Sequence, residues 1–265
     1  MSTPERRVSP AAPRLRVLSF NIQVGMHTEH YGHYLSRAWR HVLPGGDSLL
    51  ALNAIAELAR GYDFVAIQEA DAGSLRTRFL NQMEYLAQRA GFGWHGYTVT
   101  RDLQPIAQHC LGYLSRLPAR VVDDHALPGA VPGRRALHVE LETPGGPLAL
   151  YVAHLALGRA TQTRQLRHLA GLTRPEQPSV ILGDLNCEPA QLREHPALRA
   201  AGFTLARHSP KTFPSWAPRR SIDHILLSPH LQMHDLQALP RSLSDHLPLS
   251  AEISLRAPVP LRTSA

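Results

Sequence analysis

At 265 residues and 43% hydrophobic content, the chain can bury a large core and is too apolar for a disordered segment. No stretch is apolar enough to span a bilayer, and residues 1–13 lack the apolar centre of a secretory leader, so a soluble, cytoplasmic protein is expected. The formal charge of +7 permits an anionic partner but identifies none, because the basic residues are scattered arginines with Lys211 as the sole lysine.

Residues 14–20 alternate polar and apolar, as a half-buried strand does, and end at Asn21. Residues 25–47 are rich in His, Tyr and Gly and read as a loop with some helix. His27, His30 and His33 recur every third residue. A metal cluster there competes with an ordinary histidine-rich loop, and the loop is the expectation, because only Glu29 accompanies them closely. Residues 49–60 have helical spacing, and 62–67 form a buried strand that ends in Gln68-Glu69.

The spacing over 74–90 predicts a second amphipathic helix with Leu75, Phe79, Tyr85 and Leu86 as core contacts and Gly91 as its stop. Short strand-like pieces follow at 94–100, 111–115, 119–126, 136–141 and 148–153, parted by Pro and Gly, which points to antiparallel pairing. A helix is expected over 161–172, then a buried strand in Ser179-Val-Ile-Leu-Gly-Asp-Leu-Asn-Cys-Glu-Pro189, which Gly183 ends, and another helix over 190–200. Strands at 221–227, 231–239 and 247–255 close a domain spanning 14–256, flanked by segments 1–13 and 257–265. Cys110 and Cys187 stand in no metal or redox spacing and read as free thiols of a reducing compartment.

Polar residues at the strand ends make the sequence specific. Asn21, Glu69, His154, Asp184 and Asn186 follow apolar runs, whereas Asp223 opens one and Asp245-His246 precede the last. Any one of them alone reads as a cap or turn residue. With neighbouring strands antiparallel, the end of one and the start of the next share a rim, so the whole set converges there. Residues two apart in a strand face the same way, so Asp184 and Asn186 are expected to look into one pocket.

Asn21, Glu69 and Asp245 offer only oxygen, which suits a hard cation such as Mg²⁺ or Mn²⁺ better than zinc. Asp184 can orient or deprotonate a water, and Asn186 can hold that water or a phosphate. Asp223 can fix the tautomer and charge of His246 for donation to a phosphoryl oxygen. His154 offers a second positive donor, or assistance to the leaving oxygen. Together these groups suit charge stabilisation at a phosphoryl centre.

The pieces Phe20-Asn21, Gln68-Glu69, His154-Leu155, Gly183-Asp-Leu-Asn186, Ile222-Asp-His-Ile225 and Ser244-Asp-His246 come in the order seen in the endonuclease/exonuclease/phosphatase (deoxyribonuclease I-like) superfamily. The chain resembles that family from about residue 15 to residue 253. The resemblance implies a four-layer α/β/β/α sandwich of two packed, mainly antiparallel sheets with outer helices, and a divalent-metal site. It maps Asn21, Glu69 and Asp245 to metal ligands, Asp184 and Asn186 to water activation and phosphate contact, and Asp223 to the partner of His246. His154 matches the histidine-bearing branch of the family.

One position departs from the pattern. Where many members carry a phosphate-contacting asparagine, this chain has Leu111, within Cys110-Leu-Gly-Tyr-Leu-Ser-Arg116. Two readings follow. The first is a Mg²⁺- or Mn²⁺-dependent phosphoric ester hydrolase, a monomer acting on a phosphodiester in nucleic acid or a phospholipid headgroup. The second, motivated by Leu111, is a weakly active or non-catalytic phosphate-binding scaffold on the same fold. Arg134, Arg135, Arg159, Arg164, Arg219 and Arg220 are the arginines available for a nucleic-acid rim, and residues 213–216 and 31–39 are the apolar segments available for a lipid surface.

Overall fold

Strand β1 (Leu15–Asn21) shows how the chain is layered, because its neighbouring side chains enter different cores. Val17 points between two sheets, while Leu18 and Phe20 point the other way, toward helices. In the computed structural model, which describes residues 13–25, 46–130 and 132–256, this division holds through both sheets.

The first sheet adds β2 (Phe64–Asp71), β3 (Trp94–Leu103), β4 (Ala107–Ser115), β10 (Leu231–Ala238) and β11 (Leu249–Leu255), in the order β10-β11-β1-β2-β4-β3. The second contains β5 (Ala119–Ala126), β6 (Arg135–Thr143), β7 (Gly146–His154), β8 (Ser179–Asp184) and β9 (Asp223–Leu227), in sequence order. Pairing is antiparallel throughout except for β1 with β2 and β7 with β8. Phe64, Tyr113, Leu137, Val152, Leu182 and Ile225 fill the space between the sheets, and Phe64 stacks on Tyr113 at 5.6 Å. Each such side chain, buried to the last few per cent, contributes roughly 1.5–3 kcal/mol of transfer free energy.

Helices cover both outer faces. Helix α1 (Gly46–Ala59) and α2 (Gln82–Ala90) bury Leu52, Ile55, Met83 and Leu86 against the first sheet. On the second sheet, α3 (Arg159–Leu172) sets Leu166 and Leu169 against Tyr151 and Ile181, joined by Leu192 and Leu198 from the short helices α4 (Pro189–Glu194) and α5 (Pro196–Ala200). The result is the expected four-layer sandwich. Both cysteines are buried and free, and no described helix is long and apolar enough to cross a membrane.

Two expected helices come out differently. Within 74–90 only Gln82–Ala90 is α-helical, capped by the Asn81 side chain and stopped by Gly91 at φ 73°. The preceding residues are drawn to the buried carboxylate of Asp71, which accepts from the backbone N–H of Gly73 and Ser74, the hydroxyls of Ser74 and Thr77, and the guanidinium of Arg76. This satisfies the backbone in a 3₁₀ turn at Leu75–Thr77 and leaves Leu75 and Phe79 exposed instead of in the core. Over 190–200, Pro196 lacks the N–H that a continuous helix needs, so the segment breaks at His195 into α4 and α5.

Candidate active site

The parallel register of β1 and β2 pairs Asn21 with Gln68, so Asn21 and Glu69 leave the first sheet side by side. In the second sheet β7 and β8 align His154 with Asp184, and antiparallel β9 opens at Asp223 directly opposite Asp184. Asp245 and His246 come just before β11, the antiparallel neighbour of β1. The amide of Asn21 donates to Asp184 Oδ2 at 3.1 Å and ties the two sheets together at this rim.

Special backbone conformations aim the side chains. Gly183 has φ +139°, and a Cβ there would stand 1.9 Å from the carbonyl oxygen of Ala153. Glycine therefore carries β8 onward to Asp184, one residue beyond the expected stop. Glu69 has φ 55°, inside the irregularity where the β2–β4 register shifts between Ile67 and Ala70. Asn186 has φ 52°, and its backbone N–H donates to Asp184 Oδ1 at 3.0 Å. It reaches the rim through this left-handed turn and not by strand alternation, and its side-chain amide donates to the carbonyl of Leu155 at 3.1 Å.

The buried centre is short-range. His154 Nε2 is 3.4 Å from Asp184 Oδ2 and 3.7 Å from Glu69 Oε1. His246 Nε2 is 3.8 Å from the same Asp184 oxygen, while its Nδ1 lies 2.8 Å from Asp223 Oδ2. Thr212 also donates its hydroxyl to Asp223 Oδ2. An ionised carboxylate only accepts, so His246 Nδ1 carries its proton. The Phe213 ring rests 5.0 Å from the His246 ring, which makes that residue part of the wall of the site. Ser244 donates to Asp245 Oδ1 at 3.1 Å, and the Asp245 carbonyl accepts from the Ser215 N–H.

Electrostatics separates the two histidines. Burial opposes charge on His246, but Asp223 and Asp184 outweigh it and push its pKa up to about 10. His154 goes the opposite way: burial and then the charge of Arg134 press it down to about 3, so it is a neutral imidazole near pH 7. Of the two roles expected for His154, these surroundings favour assistance to the leaving oxygen over a positive donor. Burial, reinforced by neighbouring carboxylates, pushes Asp184 up to about 7 and Asp245 up to about 6.

These crowded carboxylates fit a divalent cation. Ligand atoms of Glu69, His154 and Asp184 lie within 4.8 Å of one another, as do those of Asp184, Asp223 and His246. Oxygen dominates the first group, and a bound cation would offset the burial and the carboxylate repulsion that raise Asp184 and Asp245. Asn21 touches this cluster through Asp184. Asp245 is in neither close group, although Glu69 and Asp223 both act on its charge. His27, His30 and His33 lie outside the described residues. Sequence reasoning missed Thr212, a lone hydroxyl with no periodic signal.

Leu111 is buried between the sheets, in the stretch of β4 opposite the Glu69 irregularity. Its side chain belongs to the same buried cluster as Tyr113 and Leu137 and offers the rim no hydrogen bond.

Comparisons with known proteins bear on the fold and the family. An uncharacterised protein of Escherichia coli K12, YbhP, is 33% identical over 179 residues, covering 61% of this chain and 70% of that protein. A crystal structure from Beutenbergia cavernae described as an endonuclease/exonuclease/phosphatase has TM-score 0.70 at 21% identity, over 91% of this chain and 72% of that one. A mannosyl-6-phosphatase of Bacteroides thetaiotaomicron has TM-score 0.65 at 16% identity, over 91% of this chain and 100% of that one. At such identities the two structures speak for the fold alone. The sequence profile of the endonuclease/exonuclease/phosphatase family matches residues 18–246, a stretch that begins in β1 and ends on the histidine paired with Asp223, and the chain belongs to that family.

Proposed function

We propose that the protein is a divalent-metal-dependent phosphodiesterase that directs a water molecule in line at a phosphodiester. The observation that carries this reading is the buried pair of opposed groups about Asp184. On one side stands a protonated imidazole fixed by Asp223, and on the other a neutral imidazole, 3.4 Å away. Asp184, 3.4 Å from His154 and 3.8 Å from His246, is placed to take a proton from a water at the centre. His246 holds its proton on Nε2 for a phosphoryl oxygen, and the second N–H of the Asn186 amide is available to the same group. Asn21, Glu69 and Asp245 would hold Mg²⁺ or Mn²⁺, which supplies positive charge to the phosphate. Neutral His154 is suited to assisting the leaving oxygen.

The purified protein is expected to hydrolyse bis(p-nitrophenyl) phosphate with Mg²⁺ or Mn²⁺, and Asp184→Ala or His246→Ala to lower turnover by roughly 10²–10⁴-fold. The scaffold reading keeps its motive in Leu111. It would be favoured by metal-dependent phosphate binding without turnover, unchanged in Asp184→Ala.

Of the two substrate classes, exposed apolar side chains favour a phospholipid headgroup. The loop after Asp71 exposes Leu75 and Phe79, the latter 66% accessible, and its backbone bonds to the β3–β4 tip at Pro105 and Ile106. Leu103 and Ile106 on that tip are exposed, and so are Arg78 and Arg101 beside them. Leu157, 78% accessible, leaves the same end of β7 as His154. Apolar side chains interleaved with arginines at one end of the sandwich suit an anionic lipid surface better than the grooves of a duplex.

A further inference from the structure

A phosphate entering this site meets a surplus of negative charge. Glu69, Asp184 and Asp223 each have a carboxylate oxygen within 3.8 Å of His154 or His246, so the protein groups at the centre are mostly acceptors. On the His154 side, β4 supplies Leu111, whose alkyl side chain can donate nothing. Another donor is needed on that side, and the turn between β5 and β6 supplies one.

The turn is built against the opposite sheet. Gly133 has φ +98°, and a Cβ there would stand 2.5 Å from the carbonyl oxygen of Thr100 on β3, so only glycine lets the turn press this close. The next residue, Arg134, accepts the Leu127 N–H through its own carbonyl at 2.9 Å. The β6–β7 register, Ala136 with Ala153, continued outward sets Arg135 opposite His154 and Arg134 opposite Leu155, one step beyond the end of β7.

Adjacent arginines there have different fates. Arg135 is used within the fold, pairing with Asp124 at 2.7 Å, and Asp124 in turn accepts the Thr98 hydroxyl. The half-buried guanidinium of Arg134 makes no ion pair or side-chain hydrogen bond among the described residues. Its charge nevertheless reaches the centre: after burial it is the largest influence on His154, and Glu69 and Asp184 act on it in return. A guanidinium held near carboxylates but bonded to none keeps its planar fork free for two oxygens of one anion.

We infer that Arg134 is a phosphate-binding residue of this site, receiving the non-bridging oxygens of a phosphoester on the side of the centre where Leu111 offers no donor. The inference rests on the phosphoesterase reading and adds to it a residue for substrate charge. Arg134 faces the phosphate from the His154 side and His246 from the Asp223 side. The ligand is a phosphate ester whichever alcohol it carries, so Arg134 grips the reacting group and leaves substrate choice to the rim.

The test compares wild type with Arg134→Gln and Arg134→Lys in Mn²⁺-dependent hydrolysis of bis(p-nitrophenyl) phosphate, with inorganic phosphate as inhibitor. Arg134→Gln is expected to weaken phosphate inhibition and lower kcat/KM by about 10-fold or more, the scale of a charged hydrogen bond, and Arg134→Lys to recover part of both. The thermal midpoint should stay at the wild-type value, because the guanidinium has no side-chain partner to lose among the described residues. Inhibition and kcat/KM within twofold of wild type in Arg134→Gln would overturn the inference. Should the wild-type protein turn over no phosphoester, the hydrolase reading fails, and calorimetry of inorganic phosphate with Mn²⁺ decides this one. Binding about 10-fold weaker in Arg134→Gln supports it, and equal binding overturns it.

Discussion

His246 and Asp223 form a buried pair, Nδ1 to Oδ2 at 2.8 Å, and Thr212 donates to the same carboxylate oxygen. The pair makes His246 a cation at neutral pH despite its burial. A folded-state pKa near 10, above the ordinary 6.5, contributes stability that is complete below about pH 6.5 and is lost as pH rises through about 10. Asp223→Asn removes the main charge that offsets burial. Its His246 should titrate well below the wild-type value when followed by imidazole proton resonances, and its stability should no longer fall across that window. Breaking such a pair costs about 3 kcal/mol or more in denaturant titrations at pH 7.

Metal and pH should act together on stability. Asp184 and Asp245 are raised to about 7 and about 6, above their ordinary 3.8. A raised carboxyl pKa contributes stability present below about pH 4 and lost as pH rises through the folded values. The metal-free protein should therefore weaken between about pH 4 and pH 7, when both groups are forced to ionise beside each other. Mn²⁺ or Mg²⁺ relieves that repulsion, so the rise in thermal midpoint on adding metal to chelator-treated protein should be larger at pH 8 than at pH 5. Equal rises at both pH values would count against the carboxylate cluster as the metal site.

Gly183 is the backbone position most sensitive to a side chain. A Cβ there meets the carbonyl oxygen of Ala153 at 1.9 Å, with φ +139°, and that oxygen belongs to backbone held in the parallel β7–β8 ladder, so it has little room to retreat. Gly183→Ala is expected to cost more than about 3 kcal/mol, by combined overpacking and backbone strain, and to displace Asp184. Gly91→Ala is the useful contrast: φ is also positive there, at 73°, but the space is open, so the cost should stay near 1 kcal/mol. Denaturant midpoints of the two variants measure the difference.

Strand ends are legible in the sequence because apolar runs stop abruptly at polar residues, as at Asn21 and His154, and continuous burial leaves these runs apolar on both faces. The convergence of these ends follows from sheet pairing. Other features depend on contacts that no local pattern records. The helix expected from residue 74 gives way to a turn because Asp71 collects the donors of Ser74, Arg76 and Thr77. The charge of His154 is set by its burial and by Arg134, twenty residues away in the chain and visible in the sequence only as one more scattered arginine. Strand alternation predicts that Asn186 faces the rim, whereas a left-handed turn, with φ 52°, brings it there.

The apolar rim gives the substrate class a direct test. Phe79 and Ile106 stand on two loops joined by the bonds Leu75 N–H to Pro105 O at 2.8 Å and Arg76 N–H to Ile106 O at 3.3 Å, so they form one surface whose footing is the buried Asp71–Arg76 pair. Neither side chain supports the core, so Phe79→Ser and Ile106→Ser should leave the thermal midpoint and the hydrolysis of bis(p-nitrophenyl) phosphate near wild type. Each removes an apolar side chain worth roughly 1.5–3 kcal/mol on transfer from water, and partial insertion realises a fraction of that. Together they should lower binding to vesicles of anionic phospholipid, and turnover of phospholipid in them, by about 10-fold or more. Hydrolysis of the same headgroup on a short-chain lipid below its micellar concentration should be unaffected. If the double variant binds vesicles as well as wild type, or if supercoiled DNA is cleaved faster than any phospholipid, the lipid-surface reading fails and the exposed arginines of the rim become the relevant surface.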